Sequence, residues 1–143
     1  FGPRALGHRS ILLRADQPEL ADRLNQQLNR DEFMPFAPIR RVGAGSPTMT
    51  VVVSADKELK DQCPAAVHID GTARTQIVSQ EADPGLWRLL AGAEEKGFPA
   101  LINTSFNRHG EAIVETPEHA VTTFLAAGLD IMQMGPYIVR RDQ

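Results

Sequence analysis

The spacing of apolar residues changes period several times along this chain, and each change marks an element. Ser10 to Leu13 reads as a short strand. Leu20, Leu24 and Leu28, with Ala21, then recur at helical spacing. They predict a helix near 17–28, with Asp16 as its cap, Pro18 in its first turn and Asn25 on the solvated side. Arg30 to Pro38 is a polar turn feeding an extended Phe/Pro segment whose Phe33 and Phe36 plug into the core, and Ile39 to Val42 continues as a strand. Gly43 to Pro47 is a small-residue turn, and Thr48 to Ser54 is the clearest strand by β-branched content. Ala55 to Gln62 suits a short charged surface helix.

Further on, Ala65 to Ile69 and Ala73 to Val78 read as two strands joined by the Asp70-Gly71 turn. A helix near 84–96 turns Leu86, Leu89, Leu90 and Ala93 inward, with Trp87 as packing and Gly97 closing it. Pro99 to Asn103 is a buried strand. Thr116 and Pro117 open a helix over 117–127, with Ala120, Val121, Phe124 and Leu125 inward. Asp130 to Met134 and Tyr137 to Arg141 are two closing strands. Strands alternating with helices over 143 residues predict one α/β (α+β) domain, a mixed twisted sheet of about six to eight strands with flanking helices.

Composition narrows the class. An apolar fraction of 42% and a charged fraction of 23% describe a water-facing globular domain, and no apolar run approaches a membrane span. The net charge of −3 argues against nucleic acid as a partner. Cys63 is the sole cysteine, which excludes a disulfide framework and a cysteine metal site and fits a reducing, cytoplasmic setting. The chain opens on Phe1, and its first ten residues already carry chemistry, so it reads as a piece of a longer polypeptide.

Three polar clusters stand out. Around Gly2, Pro3 and Gly7, a shaped loop presents Arg4, His8 and Arg9, with no acid before Asp16. The Asp70-Gly71 turn gathers His68, Thr72, Arg74 and Gln76, and strand alternation would put Thr72, Arg74 and Gln76 on one face. The buried run Ala100-Leu-Ile ends abruptly in Asn103, Thr104, Ser105, Asn107, Arg108 and His109. Amide, hydroxyl and guanidinium groups at a strand end can hold an anionic or carbonyl-bearing ligand. The same residue types also suit a basic linker, an exposed hairpin and a polar turn. Arg30 is a further candidate contact, against a surface ion pair with Asp31 or Glu32.

Taken in order, Gly2-Pro-Arg-Ala-Leu-Gly-His-Arg-Ser-Ile11, Phe33-Met-Pro-Phe-Ala-Pro38, Val67-His-Ile-Asp-Gly-Thr-Ala-Arg74 and Asn103-Thr-Ser-Phe-Asn107 resemble the C-terminal domain of O-carbamoyltransferases of the NodU/CmcH type. The resemblance covers essentially the whole chain and implies a YrdC-like α/β fold. It implies that the domain uses ATP, with Mg²⁺, to activate carbamoyl phosphate as carbamoyl adenylate. An N-terminal transferase domain of the same polypeptide would then pass the carbamoyl group to a hydroxyl of a small molecule. Carried over, Arg4, His8 and Arg9 form an anion-binding loop, and Arg74 holds phosphate charge beside Thr72. Asn103, Thr104 and Ser105 then meet nucleotide or carbamoyl phosphate, with Asn107 in support. The catalytic set is thus Arg74, Ser105 and Asn103, with no metal ligands. The family's usual lysine before the Phe/Pro run is replaced here by Asn29-Arg-Asp-Glu, so Arg30 stands in for that cation, and the Ile39–Pro47 connection is short beside the family's. The rival reading is a YrdC-like module that binds nucleotide or RNA without catalysis of its own.

Overall fold

The computed structural model describes residues 6–30 and 35–141, so Arg4 and Phe33 lie outside the described residues. In chain order the elements are β1 (Ser10–Arg14), α1 (Pro18–Gln27), β2 (Ala37–Arg40), β3 (Val53–Ser54) and α2 (Lys57–Gln62). There follow a 3-10 turn at Pro64–Ala66, β4 (Thr72–Ala73), β5 (Gln76–Ile77), α3 (Pro84–Glu95), β6 (Leu101–Ser105), α4 (Pro117–Ala126), β7 (Ile131–Met134) and β8 (Tyr137–Arg140). The architecture is mixed α/β with a mixed sheet.

The sheet divides the core. Its order is β1-β6-β2-β5, with β6 antiparallel to both neighbours and β5 parallel to β2. Alternation along β6 sends Ile102 into a cluster with Leu24, Phe36, Leu59 and Phe124, beneath α1, α2 and α4. Leu101 points the other way, into a cluster with Ile39, Val78, Leu86 and Leu90 beneath α3. Both faces of β6 are therefore covered, which is why its first half is apolar without interruption.

Among the described residues eight strands form, but they do not make the single large sheet expected. β3 pairs only with β4, and β7 pairs only with β8, as two separate ribbons. The expected Thr48–Ser54 strand shrinks to Val53–Ser54. Met49 is buried at φ 54, and Thr50 N–H donates to Ser46 Oγ at 3.3 Å, so the first half is a compact turn. Val51 and Val52 are left exposed: β-branched residues favour a pleated surface only where a neighbouring strand supplies one. Ala65 to Ile69 is likewise not a strand. Pro64 opens a 3-10 turn there, with Ala66 N–H donating to Cys63 O at 3.0 Å. The Asp70-Gly71 turn forms, through Gly71 N–H to His68 O at 2.9 Å, but it leads from the 3-10 turn into β4 and joins no hairpin.

Helix caps follow local chemistry. Thr116 and Asp83 cap α4 and α3, accepting from His119 N–H at 3.1 Å and Leu86 N–H at 2.9 Å. Asp16 does not cap α1, because both its oxygens hold the Arg14 guanidinium at 3.0 and 2.6 Å. That pairing also lowers the Asp16 carboxyl below its ordinary range. Asn25, expected in solvent, is buried and accepts from Arg30 Nη1 at 2.9 Å. Leu89, Val121 and Leu125, expected inward, are exposed.

Cys63 sits in the first cluster, where burial pushes its thiol up to about 11. Below that pH the thiolate is scarce and shielded. Alkylation by iodoacetamide at pH 8 should therefore be slow in the native protein and complete in urea. Rapid native labelling, read by mass spectrometry, would contradict this burial.

Candidate functional site: one end of the four-stranded sheet

The segments that carry the polar clusters converge at one end of the sheet. β6 ends there at Ser105, β1 begins there at Ser10, and the two serines are register partners. Ala37 of β2 is the partner of Asn103, and Ile39 is the partner of Gln76 on β5. Run on by two residues, the same registers bring Pro35 level with Ser105 and Arg74 level with Ala37. A hydrogen bond ties this end together: Arg74 Nη2 donates to Pro35 O at 2.8 Å. Asn103 and Ser105 share the α3 face of the sheet. Alternation puts Thr104 on the opposite face, with Ile102, so the strand does not present it beside its two neighbours.

Beneath this end lies a buried amide pair. Asn103 Nδ2 donates to Gln76 Oε1 at 2.6 Å, and Gln76 Nε2 donates to Leu6 O at 3.1 Å. The loop after Leu6 is fixed from several sides. Gly7 N–H donates to Ser10 Oγ at 2.9 Å, and Arg9 Nη1 donates to Val114 O at 3.1 Å. His8 Nε2 lies 3.1 Å from Asp83 Oδ2 at the start of α3, with the ring still largely exposed. Gly7 has φ +121, and a methyl group there would fall 2.3 Å from Leu86 Cδ2. Gly7→Ala should therefore cost about 1–3 kcal/mol in a urea titration. Gly92→Ala is the control: nothing lies within 4 Å of it, and helix propensity should add about 0.5–1 kcal/mol.

The other candidates sit around this centre. Thr72 lies in β4, outside the main sheet. Its hydroxyl donates to Asp70 Oδ1 at 2.6 Å and meets His68 Nδ1 at 3.0 Å. The Thr72 hydroxyl and N–H, both donating to Asp70 Oδ1, lower the Asp70 carboxyl and shape the turn leading to Arg74. Asn107 Nδ2 donates to Arg108 O at 2.9 Å and Glu111 O at 3.1 Å, so it shapes the loop after β6. Arg30 is held by Asn25 and lies over the Phe36 ring at 4.2 Å, under the α1 side.

An open groove of about 870 Å³ lies beyond the free edge of β1, walled by α3 and β7. Of the predicted residues that are described, only His8 lines it. Asp83 and Asp130 line it beside Arg88, so the groove offers a polyphosphate mixed charge. The sheet end, with Arg74 and neutral donors, suits such an anion better. Among the described residues no three His, Cys, Asp or Glu side chains group as metal ligands. No helix among the described residues is long and apolar enough to cross a membrane.

Sequence reasoning passed over Gln76 and Asp83 as site residues. Gln76 was visible as one member of an alternating polar set, and Asp83 as the residue before Pro84.

Comparison with known proteins agrees with the motifs. A family model described as carbamoyltransferase C-terminus matches residues 1–141. The chain is 40% identical over 152 residues to an uncharacterized protein of Methanocaldococcus jannaschii, covering 99% of this chain and 25% of that protein. It is 37% identical over 155 residues to the nodulation protein NolO of Bradyrhizobium diazoefficiens, covering 99% of this chain and 28% of NolO. It is also 41% identical over 120 residues to nodulation protein U of Rhizobium tropici, covering 77% of this chain and 21% of that protein. The chain thus spans about a quarter of the length of these relatives.

Proposed function

Because the chain belongs to the carbamoyltransferase C-terminal family, we propose that it is the part of a carbamoyltransferase that makes the activated carbamoyl donor. The reaction is ATP-dependent conversion of carbamoyl phosphate to carbamoyl adenylate. Water cleaves carbamoyl phosphate to carbamate and inorganic phosphate. A carbamate oxygen then attacks the α-phosphorus of ATP, forming one C–O–P link as the bond to pyrophosphate breaks. The full-length protein would next transfer the carbamoyl group to a hydroxyl on a small molecule.

The observation that supports this reading is the meeting of Arg74, Asn103 and Ser105 at one end of the sheet, beside the tethered Gly7 loop. Attack at phosphorus gathers negative charge on the equatorial oxygens, and positioned donors stabilise that charge more than an acid–base pair would. In this reading Arg74 holds phosphate, and the Ser105 hydroxyl donates to the reacting phosphoryl or carbonyl oxygen. Asn103 orients the floor of the site through its bond to Gln76. Arg9, with Arg4, supplies the loop's positive charge, and the His8 ring lies against Asp83.

The test is ATP–pyrophosphate exchange by the full-length protein. Label should pass from pyrophosphate into ATP only when carbamoyl phosphate is present. Exchange without it, or none with it, would contradict the reading.

A further inference from the structure

Gln76 carries a role that the motifs did not assign. Its side chain is 3% exposed and spans two segments that the backbone does not join directly. β5 and β6 lie on opposite sides of β2, so about 10 Å separates their backbones. No main-chain hydrogen bond can cross that gap. The Gln76 and Asn103 side chains cross it on the α3 face, diagonally past Ala37, whose small side chain leaves them a path. On its other side Gln76 reaches Leu6 O, immediately before Gly7.

The orientation of this amide is fixed by chemistry. Leu6 O can only accept, so the Gln76 NH₂ must face it, and the carbonyl must face the Asn103 NH₂. Both ends of a buried amide are then satisfied, in the one arrangement that joins the loop to the sheet.

We propose that Gln76 is a positioning residue that clamps the Gly7 loop to the end of β6, so that the loop's cations and the Ser105 hydroxyl act on one phosphate-bearing ligand. This proposal rests on the carbamoyl-adenylate reading for its ligand but not for its clamp. The clamp makes a specific chemical demand: a donor must face Leu6 O. In Gln76→Glu the group is nearly isosteric, but the ionised carboxylate has no donor and repels the Leu6 carbonyl. Protonated, the acid can donate O–H to Leu6 O and still accept from Asn103. Gln76→Leu keeps the bulk and has no donor at any pH.

The experiment measures hydrogen–deuterium exchange in the ligand-free, full-length protein, with the Gly7 amide as reporter through its bond to Ser10 Oγ. Rates are corrected for the intrinsic pH dependence of exchange. At pH 8 both variants should raise exchange across residues 6–9 by about tenfold, the loss of one buried hydrogen bond, while β1 and β6 stay protected. Lowering the pH should restore protection in Gln76→Glu and not in Gln76→Leu. In the exchange assay, Gln76→Glu should raise KM for ATP more than it lowers kcat, with recovery at low pH. Parental protection of residues 6–9 in both variants would overturn the clamp. So would loosening shared equally by β1 and β6, because a merely structural role would relax the whole sheet. If the parent shows no pyrophosphate exchange, the adenylate reading fails, and the amide measurement still decides the clamp.

Discussion

Arg74→Ala should lower carbamoyl-phosphate-dependent pyrophosphate exchange by roughly 30- to 1,000-fold in kcat/KM, equivalent to about 2–4 kcal/mol of transition-state stabilisation. The expectation comes from charge. ATP and carbamoyl phosphate together bring several negative charges within a few ångströms, and their repulsion must be offset by fixed cations. Arg74 is half-buried at the sheet end and is held there through Pro35 O, so its guanidinium is already oriented before ligand arrives. A preorganised donor is worth more than a mobile one because no reorganisation accompanies the reaction. Arg74→Lys should recover only part of the loss, since an ammonium keeps the charge without the planar two-pronged fork. Parental exchange by Arg74→Ala would show that the phosphate is held elsewhere.

The largest effect on stability is expected at Phe124. Its side chain is 1% exposed and fills the cluster between α4, α1 and the β6 face that carries Ile102. Truncation to alanine removes a buried ring and leaves a cavity that helices on a rigid sheet cannot close. Phe124→Ala should cost about 3–5 kcal/mol in urea denaturation. Against a domain's usual 5–15 kcal/mol, that is about a fifth or more of the total. Leu125→Ala, one residue along the same helix but 60% exposed, should change stability by less than about 0.5 kcal/mol. Equal losses at the two positions would contradict the observed orientation of α4.

How much of this was legible in the sequence depended on how local the cause was. Pro18, Pro84 and Pro117 mark the first turns of α1, α3 and α4, because proline fits only there without losing a hydrogen bond. β6 was readable because an apolar run ending in amides and hydroxyls has few other uses. The four ordered motifs revealed the family. Pairing was not readable. Thr48 to Val52 has strand composition but no partner strand, and Thr72 to Ile77 splits between two sheets because β4 takes β3 while β5 takes β2.

Long-range polar contacts were equally hidden. Arg40 looked like an ordinary strand residue, yet it is 4% exposed and meets Asp56 at 2.8 Å and Glu58 at 3.0 Å. The Asp56 carboxyl is lowered first by the Leu59 N–H that it caps and then by Arg40. Asn25 looked like a solvated helix residue, because nothing nearby in sequence foretells Arg30 folding back onto it. Gln76 belonged to a readable polar face, but its bonds to Leu6 and Asn103 span 70 and 27 residues.

In the proposed function the phosphates sit at the sheet end rather than in the groove beyond β1. The most direct measurement is photolabelling of the full-length protein with an ATP derivative bearing an aryl azide on its γ-phosphate. Carbamoyl phosphate is included, and labelled peptides are mapped by mass spectrometry. Label on peptides containing Arg74 and Ser105–Arg108, competed away by ATP, is the predicted result. Label confined to Leu89 and Ile131–Gln133, with the sheet end unmarked, would place the nucleotide in the groove and contradict the account.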